Sequence, residues 1–161
     1  MATHHRFAFW SRWLQTSLWS YALTGALLVV FDHRAVPFLA GSVNQRFFGQ
    51  AEMPPAIEPY HRFVYGLIGA FLMGWAIGLA MVVRHGFRAR LPWAWTTVAV
   101  SIAVWFAVDT GASVWHGAWV NAALNCVGGF FLGLPLLMTS SLARRTDRTG
   151  AEVESAQGKP S

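Results

Sequence analysis

Four long stretches of the chain carry no Asp, Glu, Lys or Arg: Trp13–Phe31, Phe63–Val83, Trp93–Val108 and Val120–Leu142. A membrane-spanning helix needs about 20 mostly apolar residues, within a range of about 17–25. Three of the stretches meet that length. The third is short until Asp109 and the residues through Ser113 are added, so the pattern predicts a span that takes in an ionisable side chain. The expected fold class is all-α, a polytopic membrane protein with four transmembrane helices in a bundle. Their expected bounds are about 13–31, 63–83, 93–113 and 120–142, within one domain over 1–145. The polar segment 146–161 reads as a disordered cytoplasmic tail.

The loops differ in kind. "RHGFRARLP" is compact and ends in Pro92, suited to the first turn of a helix. The first loop, 32–62, is long. Its segment "VPFLAGSVNQRFFGQ" is apolar enough to lie on or dip into the membrane surface, and "EMPPAIEPYH" reads as extended chain. The first apolar run follows basic residues, as in a signal peptide. It exceeds the usual apolar region of about 7–15 residues, and no small-x-small pair follows closely. It reads as a retained helix.

Composition agrees with this pattern. Hydrophobic residues make up 55% of the 161 and charged residues 12%, with a mean hydropathy of +0.40. A soluble domain carries about a quarter charged residues. The net charge of +5 and pI near 10.4 would suggest nucleic acid in a soluble protein. Here the arginines gather at helix ends instead. Arg6 and Arg12 precede the first span, Arg84, Arg88 and Arg90 follow the second, and Arg144, Arg145 and Arg148 follow the fourth. Arg34, Arg46 and Arg62 occupy the long first loop. By the positive-inside rule both termini are expected in the cytoplasm, with the protein in a bacterial inner membrane and no nucleic-acid partner. Trp10, Trp13, Trp93, Trp95, Trp115 and Trp119 fall at expected headgroup levels, whereas Trp75 and Trp105 read as packed within the bundle, with lining of a pocket as the alternative. Cys126 is the sole cysteine, so no intrachain disulfide can form, and it reads as a small buried hydrophobe.

Small residues recur every four positions: Gly66, Ala70, Gly74, Gly78, then Ala99, Ala103, Ala107, Gly111, then Asn121, Asn125, Gly129, Gly133. Lipid gives helices no hydrophobic reason to associate, so close backbone approach matters. Gly66, Gly74, Gly78, Gly129 and Gly133 are therefore expected at packed surfaces, within the chain or between copies.

Asp109 is the candidate for chemistry. It lies about 24 Å from Trp93 along its helix, near the outer end. Ser113 and His116 follow it at i+4 and i+7, and Asn121 and Asn125 share a face of the next helix. Asp32, His33, His61, Arg62 and Tyr65 fall at the same level. The expectation is a polar layer in the outer third, in which Asp109 pairs with Arg62, accepts hydrogen bonds from Asn121, Thr110 or Ser113, and locks the second, third and fourth spans together. The other reading is a ligand or proton site, as intramembrane ionisable residues often are. His33, His61 and His116 could in principle meet around a haem or metal, but no metal-ligand spacing supports that. Asp109-Thr110-Gly111 matches the aspartic-protease tripeptide, yet no second such Asp loop exists.

"YGLIGAFLMGW", "RLPWAW", "WFAVDTGAS" and "NAALN" together resemble small four-helix bacterial integral membrane proteins, loosely of the DoxX type. The resemblance implies a four-span bundle in a bacterial inner membrane and supplies no catalytic residue. Two function classes follow. One is a non-enzymatic membrane subunit or scaffold, acting as a homo-oligomer or within a larger complex. The alternative is a membrane protein that binds haem, quinone or lipid, with an electron- or proton-transfer role.

Overall fold

The computed structural model describes residues 2–140, with side chains from His5 onward. The expected tail over 146–161 lies outside the described residues, as do Arg144, Arg145 and Arg148. The described chain is all-helical. Helix α1 spans Ala2–Phe31. It starts well before the first apolar run because no Gly or Pro interrupts the chain before Gly25. A 3-10 turn, Asp32–Ala35, leads to α2, Pro37–Phe48. Pro37 occupies the first turn of α2, where its missing N–H costs nothing. Gly49, at φ 72°, ends the helix by donating its N–H to Gln45 O at 3.2 Å. The apolar loop segment is thus a helix of 12 residues.

Helix α3 spans Glu58–Val82 and runs on through a π turn, Val83–Phe87. Helix α4 spans Pro92–Trp115, and α5 spans Trp119–Met138. Gly117, at φ 73°, makes the turn between them. Helices α1, α3, α4 and α5 are long and apolar enough to cross a membrane. Large apolar side chains point away from the bundle, among them Phe71 (76% exposed), Val108 and Phe130. In water such a surface would drive aggregation, and in lipid it is the ordinary exterior.

Helix α1 lies between α3 and α5, α4 packs on α5, and α3 barely touches α4. The buried positions recur at seven-residue spacing: Ser11, Leu18 and Gly25 on α1, Gly69, Ala76 and Val83 from α3 into the π turn, and Asn125, Leu132 and Thr139 in and just after α5. Seven residues drift only about 20° around a helix. Four residues drift about 40° at each step. This corrects the within-chain half of the glycine assignment. Gly66, Gly74, Gly78 and Gly133 have no atom within 4 Å of where a side chain would begin, so they are not packed within the chain. Gly129 alone of the five is packed, against the Phe106 ring. The close crossing uses Gly25 and Gly69 instead. A Cβ on Gly25 would sit 2.6 Å from Gly69 O, and one on Gly69 would sit 2.5 Å from Gly25 O. Cys126 is exposed on α5, contrary to its expected burial.

The fully buried core, with Leu14, Leu18, Val83, Phe87, Val98 and Leu132, fills the half of the bundle near Arg12 and Arg88. Two tryptophans fasten it. Pro135 has no N–H to give the Phe131 carbonyl one turn earlier in α5. Trp13 Nε1 donates to that carbonyl at 3.0 Å, so α1 replaces the missing helical bond. Trp95 Nε1 likewise donates to Leu136 O at 3.3 Å.

Candidate functional site

At the other end of the bundle the helices part around a cavity of about 580 Å³. Leu28 of α1, Ile68 and Leu72 of α3 and Leu124 of α5 supply apolar walls. Helix α2 roofs it with Leu39 and Val43, one turn apart on the same face. This explains why the loop segment is apolar. Asn44 Nδ2 donates to Ala51 O at 3.1 Å and ties the end of α2 to the following loop. Arg46 lies over Gly117, where a Cβ would meet its Nε at 2.7 Å, and the φ of 73° there favours glycine.

Asp109, Asn121, Asn125 and His61 reach this cavity, as do Tyr21, Tyr60, Tyr65 and Trp105. Asn121 Nδ2 donates to Asp109 Oδ1 at 3.2 Å and to Ser113 Oγ at 2.7 Å. Ser113 Oγ in turn donates to Asp109 O at 2.7 Å. The Asp109–Ser113–Asn121 triangle therefore staples α4 to α5. Asn125, one turn below Asn121, is 6% exposed, and its Nδ2 has no hydrogen-bond partner among the described residues. His61 Nδ1 is also buried without one.

The expected Asp109–Arg62 pair does not form. Arg62 Nη2 lies 2.6 Å from Glu58 Oε1, and its Nε lies 3.7 Å from Asp32 Oδ2. Glu58 sits one turn away on the same helix, whereas Asp109 stands on α4, which α3 hardly touches. Arg34 bridges the same two carboxylates, at 2.9 Å from Glu58 and 3.9 Å from Asp32. His33 Nδ1 lies 2.9 Å from Asp32 Oδ1. These five residues form an ion cluster where the end of α1 meets the start of α3, separate from Asp109.

The histidines also divide. His33 and His61 each pack against Tyr65, with ring centroids 6.0 and 6.1 Å away. His116 caps α4, is exposed and faces Phe47 at 6.2 Å. Among the described residues no three metal-ligating side chains converge.

Sequence reasoning missed Tyr21. Its ring meets Trp105 at 5.8 Å and Trp75 at 6.3 Å, and those two indoles lie 5.9 Å apart. The expected packing of Trp75 and Trp105 is thus a three-ring cluster at the cavity floor. Gly128 leaves room for the Tyr21 hydroxyl, which a side chain there would strike. Seven-residue spacing from Leu14 to Tyr21 to Leu28 was the available signal.

Comparison of the chain with protein-family models, with curated proteins and with solved structures finds no match.

Proposed function

We propose that this membrane protein binds a small amphiphile with a carbonyl head, a quinone or a lipid, in the cavity roofed by α2. Asn125 carries the reading. A buried amide N–H₂ without a partner costs on the order of 1–3 kcal/mol, and a carbonyl oxygen in the cavity would relieve that cost. Asp109 supplies an acceptor for a hydroxyl on the same head, and His61 and Tyr65 line the opposite wall. The aliphatic lining suits a hydrocarbon tail. A pocket of a few hundred Å³ with a few convergent polar groups is the usual form of a small-molecule site. Haem is disfavoured: among the described residues His61 is the sole imidazole lining the cavity, so no opposed pair of axial ligands from them faces into it. A bound quinone would bring the electron- or proton-transfer role, with Asp109 and His61 as the proton-carrying groups at hand.

The same proposal places the chain in a bacterial inner membrane with both termini cytoplasmic, supported by the arginine distribution. The likeness to DoxX-type four-helix proteins belongs with it. A second reading, a scaffold or subunit, rests on the open space beside Gly66, Gly74 and Gly78. A groove without side chains on α3 accepts another helix closely, from a second copy or a larger complex.

Thermal unfolding of the detergent-solubilised protein with a short-chain quinone, and separately with a fatty acid, tests the first reading. A ligand that binds only the folded state raises the midpoint. One of the two should raise it for the wild type and not for Asn125→Leu. No rise with either ligand would overturn the carbonyl-amphiphile reading.

A further inference from the structure

Three arginines line a second cavity, of about 320 Å³, at the end of the bundle opposite Asp109. Its walls are Phe7, Ser11 and Arg12 of α1 and Arg88 and Arg90 of the turn before α4. The depth of this cavity follows from α1. Arg12 and Asp32 bracket its charge-free run, and the twenty residue steps from one to the other rise about 30 Å. That is the thickness of a bilayer's hydrocarbon core. The cavity therefore lies at the level of phospholipid headgroups.

The cavity is built rather than incidental. Phe7 stacks on the buried Phe87 ring, with centroids 5.6 Å apart and planes 13° from parallel. Ser11 is 2% exposed, and its hydroxyl donates to Phe7 O at 2.8 Å. The Arg90 guanidinium lies 4.9 Å over the Phe7 ring. Arg90 reaches that position from a left-handed backbone, φ 59°, which side-chain-bearing residues adopt at an energetic cost. Among the described residues the carboxylates are Asp32, Glu52, Glu58 and Asp109, all toward the other end, and none of them pairs with Arg12 or Arg88.

We propose that this cavity holds the phosphate of an anionic phospholipid headgroup, with the acyl chains lying along the bundle. Guanidinium groups offer phosphate oxygens paired N–H donors in a matching geometry. Basic pockets between helices at the membrane boundary suit anionic headgroups. Inorganic phosphate shares the anion chemistry but lacks the chains that fix it at this depth.

Native mass spectrometry of the delipidated full chain in detergent tests the site. The titrants are dioleoylphosphatidylglycerol, dioleoylphosphatidylcholine and inorganic phosphate. Phosphatidylglycerol should be retained, phosphatidylcholine should not, and phosphate at equal concentration should not displace the bound lipid. Arg12→Gln and Arg88→Gln should each weaken phosphatidylglycerol binding about fivefold, and the pair about 25-fold. Both side chains are exposed, so the lipid-free melting temperature should stay unchanged. Arg12→Lys with Arg88→Lys should bind more than the double Gln variant. Arg34→Gln, at the opposite end, should match the wild type. Equal retention of both lipids, or an unaffected double Gln variant, would overturn the proposal. Displacement by inorganic phosphate would assign the cavity to a free anion and overturn the lipid.

Discussion

Asp109 stands in an apolar span because Asn121 meets it there. The bond from Asn121 Nδ2 and the shared Ser113 hydroxyl give the carboxyl a place between α4 and α5. Removing either residue should therefore be costly, and removing both should cost less than the sum. Side-chain hydrogen bonds between membrane helices are worth about 0.6 kcal/mol on average and up to about 1.7. An Asp109→Ala, Asn121→Ala double-mutant cycle, read from unfolding in detergent, should give a coupling in that range. The Asp109→Ala, Arg62→Ala cycle should be additive within about 0.5 kcal/mol, since the two share no partner. The sequence made the polar layer legible: spacing put Asp109, Asn121, Asn125 and His61 at one level. It offered Asn121 as a donor beside an Arg62 ion pair, and could not choose between them. Periodicity says which residues share a face of one helix, and the choice of Asn121 over Arg62 depends on how far α3 stands from α4.

Helix packing turns on which small residues face a neighbour. The four-residue rows seen in the sequence wind away from the interface, while Gly25 and Gly69 stay on it. Gly25→Ala and Gly69→Ala should each destabilise by about 1–3 kcal/mol, the usual cost of overpacking. Gly74→Ala and Gly78→Ala should be neutral or stabilise by up to about 1 kcal/mol, since alanine is the better helix former. Melting temperatures of the four variants check this. Large losses at Gly74 and Gly78 would mean that their face is packed against another chain. Trp13 gives a second test at this scale. Trp13→Phe should lose stability through the unpaired Phe131 carbonyl, by about 0.5–1.5 kcal/mol. In a Pro135→Ala background the helix restores its own N–H to that carbonyl, and the same substitution should cost less. Number and length of the spans could be read from the uncharged runs alone. The role of Trp13 could not, because a tryptophan at a membrane boundary already has a sufficient explanation as an interfacial anchor.

Over the whole molecule the two ends differ in construction. The half near Arg12 and Arg88 is filled by a packed core with the arginine-lined cavity at its end, and the half near Asp109 opens into a cavity under α2. If the arginine-rich end is cytoplasmic, a reporter fused at Ser161 should be active only in the cytoplasm, and one inserted near Arg46 only outside it. The opposite pattern would turn the cavity toward the cell interior. The cavity itself is the centre of the functional account, and Asn125 brings to it a buried amide without a partner among the described residues. Native mass spectrometry of the protein purified in mild detergent, wild type beside Asn125→Leu, tests it most directly. The wild type should carry one small amphiphile per chain that survives detergent exchange. Asn125→Leu should carry none, and its melting temperature without ligand should be equal or higher, because a buried unpaired amide has been removed. A bare wild-type chain, or the same adduct on both proteins, would contradict the account.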